Sequence, residues 1–341
     1  MHAKYLKRCF ELAKQGETLA CPNPIVGCVI VHQGKIISEG FHRACGEAHA
    51  EVEAITACSQ SNLFKKSTIY VSLEPCAHHG KTPPCADLII KHQFKELVFS
   101  SYDPNPEVSG KGIERIKTAG IKVIEPKDLD PKLKEESDYL NRMFFKWIAT
   151  SPAAPRNDSG TWISLKIALT SSGEMTSESK WITNSESRKD VHRMRSTHDL
   201  IITGAETIRQ DDSSLDIRHE PTELGLQDIK NPDVVVLHKK NKISNEDKHK
   251  VFNLDPERKV FQSQEIPQGY KRIMVETGPR LSNYFLESNL VDEVIIYQSM
   301  QETELDQSWQ EKLKQKGFKL HKESKLITEE QIDLKETWNK K

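Results

Sequence analysis

The stretches HAEVEAI (49–55) and EPCAHHGKTPPC (74–85) carry the reading of this chain's first half. His49 and Glu51 stand two apart at the start of a run whose apolar spacing predicts a helix over 50–58. Cys76 and Cys85 flank a loop containing Pro and Gly, and a second helix is predicted over 86–92. A catalytic zinc takes three protein ligands and keeps one position open for water; one imidazole and two thiolates supply the three, leaving Glu51 to carry protons. Thiolates at helix starts are favoured by unsatisfied backbone N–H groups. Two blander readings stay open. His49 could cap a helix over small buried cysteines, or His78 or His79 could close a four-coordinate structural site.

Working outward, helix 3–15, a hairpin of strands 27–30 and 35–38 turned at 32–34, and strands 68–73, 96–100 and 122–125 alternate with the two helices. This is the outline of an α/β sandwich. A polar helix near 131–148 precedes SPAAPRNDSG (151–160), whose composition is that of a linker. The boundary is therefore expected there, between domains 1–148 and 149–341. The second half opens again with a strand (162–169), a helix (185–197), and strands 200–203 and 233–237. RIMVETGPRLSNYFLESNLVDEVIIYQS (272–299) then reads strand, turn, helix, strand. The charged segment 238–259 reads as a surface excursion without chemistry, and the tail after 300 carries little signal. No internal repeat is visible.

A chain of 341 residues exceeds one ordinary core, which agrees with two domains. Its 36% hydrophobic and 29% charged residues describe a solvated globular protein. The net charge of −1, with no basic stripe, speaks against a nucleic-acid partner. No apolar run is long enough for a membrane helix, so a cytoplasmic protein is expected. All seven cysteines lie in the first 85 residues, an odd number that fits a reducing compartment and a metal site with bystanders.

The general signature of zinc nucleobase deaminases is H-x-E followed by P-C-x-x-C, with the Glu as proton carrier rather than ligand. His49-Ala50-Glu51 and Pro75-Cys76 match it; the wider gap to Cys85 departs from it. That gap, with PNPIVGCVIV (22–31), HAEVEAI and EPCAHHGKTPPC, resembles the deaminase half of the bacterial bifunctional RibD family of riboflavin biosynthesis. The resemblance implies a cytidine-deaminase-like three-layer α/β/α domain that deaminates a phosphoribosylaminopyrimidine. It implies Zn2+ on His49, Cys76 and Cys85, with Glu51 catalytic and Asn23 on the pyrimidine edge; as a bland alternative, Asn23 is a plain turn residue. His42, His78, Lys81 and Thr82 lie near this site by sequence, Lys81 as a point charge for a phosphate.

No G-x-G-x-x-G follows a strand in the second half, so the dinucleotide fingerprint is absent. VETGPRLSNYFLE (275–287) ends a strand at a helix start whose N–H groups could cradle a phosphate, although such a glycine also serves as a plain tight turn. SKWIT (179–183), RKDVHRMRSTHD (188–199), ITGAETIRQDDSSLDIR (202–218) and VETGP resemble the reductase half of the same family. That implies a dihydrofolate-reductase-like α/β domain using NADPH. Ser179, Arg195, Leu215, Arg218 and Glu276 would meet the phosphoribosylamino-uracil; Trp181, Thr207, Asp211, Gly278, Pro279 and Arg280 would meet NADPH. Arg195 and Arg218 have the forked donors a phosphate monoester needs, or are surface arginines. A homo-oligomer is expected. Three departures stand out: Thr170-Ser171-Ser172-Gly173 lacks the family's carboxylate at Ser172, Asp211-Asp212 is followed by Ser213 rather than Pro, and Thr277 replaces a glycine. They keep a second reading open, a deaminase whose other half is a degenerate reductase.

Overall fold

A computed structural model describes residues 2–77, 83–105, 109–149, 160–175, 181–239, 242–244, 246–253, 255–300 and 306–340. The chain divides into two compact units, Met1–Gly160 with Pro221–Asp228, and Thr161–Glu220 with Ile229–Lys341.

In the first unit α1 (His2–Gln15) leads into β1 (Gly27–His32) and β2 (Lys35–Phe41), then α2 (Ala50–Ala57), β3 (Thr68–Val71), α3 (Cys85–His92), β4 (Glu96–Phe99), α4 (Lys111–Thr118) and β5 (Lys122–Ile124). The sheet order is β2-β1-β3-β4-β5, antiparallel around β1 and parallel from β3 to β5. Strand alternation builds the three layers. Cys28, Ile30, Ile69, Val71, Leu97 and Phe99 face α2, α3 and α4 through Ala54, Ile89 and Ile113, while Val29, Val31, Tyr70 and Val98 face α1 through Leu6 and Phe10. The β1–β2 turn has Gln33 and Gly34 both at positive φ, as a two-residue hairpin of this hand requires. Gly40 lets α2 lie directly on β2: a Cβ there would stand 2.5 Å from Ala54 N and 2.6 Å from Ala50 O.

The helix expected over 131–148 is two, α5 (Pro131–Leu140) and α6 (Arg142–Ala149). Asn141 interrupts it because its side chain is committed elsewhere: Oδ1 accepts from Ile25 N at 2.8 Å and Nδ2 donates to Ile25 O at 3.1 Å. Helix α4 was not expected from the sequence.

The second unit runs β6 (Trp162–Leu169), α7 (Ser185–Ser196), β7 (Leu200–Gly204), α8 (Ala205–Asp211), β8 (Asp233–Leu237), β9 (Val260–Ser263), β10 (Arg272–Glu276), α9 (Pro279–Glu287), β11 (Glu293–Met300), α10 (Ser308–Gln315), β12 (Phe318–Ile327) and β13 (Ile332–Lys340). The eight strands are ordered β12-β13-β11-β6-β10-β7-β8-β9, parallel from β11 to β9 and antiparallel at β12 and β13. Leu165, Ile167, Ile273 and Val275 pack on α9 and α10 through Phe285 and Leu313. Ile201, Val234, Met274 and Ile295 pack on α7 and α8 through Met194 and Ile208. The nearly continuous apolar strands follow from burial on both faces.

Two expectations change. The tail after 300 contributes a helix and two long strands. The segment 238–259 is more than a surface excursion, since Ile243, Val251 and Arg258 are buried in it. No helix among the described residues is long and apolar enough to cross a membrane.

Candidate functional site

His49 sits at the residue before α2 but makes no capping bond; its ring points instead at the two sulfurs. Nδ1 lies 3.5 Å from Cys76 Sγ and 3.3 Å from Cys85 Sγ, and all three donor atoms fall within 4.8 Å of one another. Tetrahedral zinc with ordinary Zn–N and Zn–S lengths separates nitrogen from sulfur by about 3.6 Å, so the donor set fits that ion. Cys76 lies in the loop after β3, and Cys85 opens α3. Cys85 N donates to Cys76 Sγ at 3.3 Å, tying the loop to the helix start. Hydrogen bonding from the Cys85 thiol, then from His49, pulls the Cys76 thiol below its ordinary value, while the same pairing and burial push the Cys85 thiol up, so the pair favours one thiolate. Among the described residues three donors gather here, not four. His78 and His79, the other candidate ligands, lie outside the described residues, as do Lys81 and Thr82.

Glu51, in the first turn of α2, is 3% exposed. Burial first, then the charge of Cys76, pushes its carboxyl up to about 7, against the attraction of His49. A carboxyl balanced near neutrality both accepts and returns a proton.

Asn23 reaches the same place through His42, whose ring lies 5.5 Å from that of His49, centroid to centroid. His42 Nδ1 meets Ala48 O at 3.0 Å; a carbonyl only accepts, so Nδ1 carries the hydrogen. Nε2 is then an acceptor, and Asn23 Nδ2 donates to it at 3.1 Å. Burial lowers the His42 pKa and so keeps the ring neutral in this role. The arrangement fixes which face of the Asn23 amide offers its oxygen. Asn23→Ala is expected to raise the KM of a substrate bound at this site by about tenfold, the worth of one hydrogen bond of roughly 1.4 kcal/mol, with metal content unchanged; an unaltered KM would return Asn23 to a plain turn residue.

Glu74 was missed at the level of sequence. It is buried, and its carboxylate accepts from Gly110 N at 2.8 Å and Asp103 N at 3.3 Å, holding both ends of the 103–110 loop beside the cysteine loop. Its place directly before Pro75-Cys76 was the available signal.

In the second unit, Arg195 of α7 and Glu276 at the end of β10 form a buried two-point pair: Nε to Oε2 at 3.0 Å and Nη2 to Oε1 at 2.9 Å. Arg195 Nη1 donates to Asp216 O at 2.8 Å. The fork expected to grip a phosphate is thus turned toward Glu276 and the 214–219 loop. Lys166 Nζ lies 3.5 Å from Glu276 Oε1, and its charge also reaches Asp211. Burial alone would raise the Glu276 pKa, but Arg195 and Lys166 outweigh it and hold the carboxyl at about 2. Lys166 too was missed; a lone lysine inside the apolar run ISLKIAL was its signal.

Leu215 is buried and adopts φ +53, while Arg218 is exposed and lies 3.4 Å from Asp216 Oδ1 through Nε. Beyond Glu276 the chain turns into α9 at Gly278-Pro279-Arg280. Gly278 N donates to Thr207 Oγ1 at 3.3 Å, and Thr277 Oγ1 lies 3.5 Å from the same oxygen, so the hydroxyl at the departing position 277 joins the turn. The N–H groups at this helix start suit an anion. Trp181 is half exposed under the Arg188 guanidinium, 4.9 Å from its ring centre. Ser179 lies outside the described residues. At the Thr170–Gly173 turn, Gly173 has φ +82 and abuts the Asp306 carboxylate, where a Cβ would stand 2.6 Å from Oδ1.

Residues 1–101 match the family model for the cytidine and deoxycytidylate deaminase zinc-binding region, and 161–299 match that of the RibD C-terminal domain. The chain is 35% identical to riboflavin biosynthesis protein RibD of Aquifex aeolicus over 86% of its own length and 85% of that protein. It is 34% identical to RibD of Escherichia coli, covering 86% of each. A diaminohydroxyphosphoribosylaminopyrimidine deaminase/5-amino-6-(5-phosphoribosylamino)uracil reductase from Thermotoga maritima superposes with a TM-score of 0.74 at 29% identity, over 100% of this chain and 99% of that one. With a zinc-fitting donor set in one unit and the RibD C-terminal sheet in the other, the chain belongs to the RibD family of bifunctional deaminase–reductases of riboflavin biosynthesis.

Proposed function

We propose that the first unit hydrolytically deaminates diaminohydroxyphosphoribosylaminopyrimidine and that the second reduces the resulting 5-amino-6-(5-phosphoribosylamino)uracil with NADPH. The observation that carries this reading is the presence in one chain of two separate buried polar sites, Glu51 beside the His49, Cys76 and Cys85 donors, and Glu276 between Arg195 and Lys166.

His49, Cys76 and Cys85 would hold zinc, which would supply the Lewis acidity that brings a water's pKa toward neutrality. Glu51 takes one proton from the attacking water and gives it to the ring nitrogen, then takes the second from the hydroxyl now on the ring carbon and gives it to the departing amine, which leaves as ammonia while the carbonyl forms; a carboxyl pushed up to about 7 suits each transfer. Asn23, oriented by His42, holds the pyrimidine edge through its amide oxygen.

In the second unit NADPH would supply the hydride that C1 of the ring-opened ribose, an imine, takes up, the nitrogen taking its proton from solvent, to give a ribityl chain. Thr207, Asp211, Trp181 and the 278–280 turn would hold the cofactor. Ser179, Leu215, Arg218, Arg195 and Glu276 would hold the substrate, with Lys166 as a second cation 3.5 Å from Glu276. The functional boundary is placed at 148/149. We place the enzyme in a reducing cytoplasm, the compartment that its odd number of cysteines suits, and as a homo-oligomer whose state sedimentation would report.

The test follows ammonia release and loss of NADPH absorbance together, on purified protein given the diamino-pyrimidine ribotide, with and without a zinc chelator. Both signals are expected. Chelation should abolish ammonia release yet leave NADPH oxidation intact when the deaminated substrate is supplied. Ammonia without NADPH oxidation would make the second unit a degenerate reductase; neither signal would overturn the substrate assignment.

A further inference from the structure

Arg258 belongs to a stretch whose sequence suggests no role, yet the side chain is 7% exposed. Its hydrogen-bond partners among the described residues are all backbone carbonyls. Nη1 donates to Leu215 O at 3.0 Å, and Nη2 donates to Ser214 O at 2.6 Å and to Val251 O at 2.9 Å. Nε is buried without a hydrogen-bond partner, so the guanidinium is held in the interior at a cost, and its two terminal nitrogens given over to main chain point to a geometric purpose.

That purpose is visible at Leu215, which carries a Cβ yet sits in the left-handed region at φ +53. Such a conformation persists only where the surroundings over-determine it. The carbonyls of Ser214 and Leu215 belong to the two peptide planes that meet at the Leu215 Cα. One rigid guanidinium bonding both planes fixes the rotation between them. The next carbonyl, Asp216 O, then accepts from Arg195 Nη1 at 2.8 Å and from His192 Nδ1 at 3.0 Å. Ile217 N donates to Asn231 Oδ1 at 2.9 Å, and Asn231 Nδ2 donates to Asp255 Oδ2 at 2.7 Å, a second tie from the same segment.

The geometry points to Arg258 as a positioning residue of the reductase half: its guanidinium locks the peptide planes on either side of Leu215 and so sets the Asp216 carbonyl that orients Arg195 and His192. The inference rests on the proposal that Leu215, Arg218, Arg195 and Glu276 meet the pyrimidine substrate. Arg258 itself touches none of the reacting atoms.

The full-length protein is compared with Arg258→Met, which keeps the apolar stem and loses every donor, and Arg258→Lys, which keeps the charge but cannot span two peptide planes. The steady-state KM for the deaminated pyrimidine is expected to rise about tenfold or more in Arg258→Met and by an intermediate factor in Arg258→Lys. The KM for NADPH should stay within about twofold, and ammonia release should not change. Unchanged pyrimidine KM in both variants, or both KM values rising together as in a general loosening of the unit, would overturn the assignment. If Arg258→Met does not fold, the same comparison in Arg258→Lys decides it. Wild-type protein that fails to oxidise NADPH would instead overturn the reductase reading, and the clamp with it.

Discussion

Replacing Glu51 with Gln is expected to leave zinc in place and to stop ammonia release. The amide matches the carboxyl in size, and Glu51 is not one of the three donors, so metal content measured by atomic absorption should equal that of the native protein. What the amide cannot do is carry a proton. Burial and the neighbouring Cys76 put the native carboxyl near 7, where it changes state readily at physiological pH. Losing a positioned proton carrier costs on the order of a hundred- to ten-thousand-fold in rate. Here the same group serves the water, the ring nitrogen and the leaving amine, so the deaminase kcat should fall at the upper end of that range or beyond. NADPH oxidation on supplied deaminated substrate should be untouched. A Glu51→Gln protein that still releases ammonia at a tenth of the native rate would remove Glu51 from the mechanism.

The zinc donors were legible because the chemistry is local: His49 and Cys85 each mark a helix start, and the intervening strand end brings Cys76 to them. The layered core was legible too, since alternating or continuous apolar strands announce which faces are covered. What escaped the sequence depends on distant partners. Arg258 gains its meaning from carbonyls more than forty positions away, and nothing in its own neighbourhood distinguishes it from a solvated charge. The polar strand β12, exposed along most of its length, carries no hydrophobic period to read. Asn141 sits in a helical pattern that its side-chain pairing with Ile25 overrides. For Arg195 the residue type was read but not its allegiance: a forked donor suits a phosphate and a carboxylate alike, and here it faces Glu276.

That pairing makes Glu276→Gln the substitution with the largest expected effect in the second unit. Arg195 and Lys166 are both largely buried beside Glu276, and the amide leaves two cations without their carboxylate. Breaking a buried pair by removing one partner costs about 3–5 kcal/mol, which for a unit of this size lowers its Tm on the order of 10 °C. The pH dependence has a definite sign. The native carboxyl is held at about 2 against an ordinary 4.5, so its stabilisation is fully present above 4.5 and is lost as the pH falls toward 2. The gap in Tm between native and Glu276→Gln protein should therefore be widest near neutrality and close on acidification through that window. Under conditions where the variant is folded, the reductase kcat/KM should fall by at least about a hundredfold, because Arg195 loses the partner that aims it, while ammonia release continues. A gap in Tm that stays constant from pH 7 to below 3 would mean that Glu276 is not the ionised centre of this cluster. Native-like NADPH oxidation in the variant would show that the pair holds the fold together without serving the reaction.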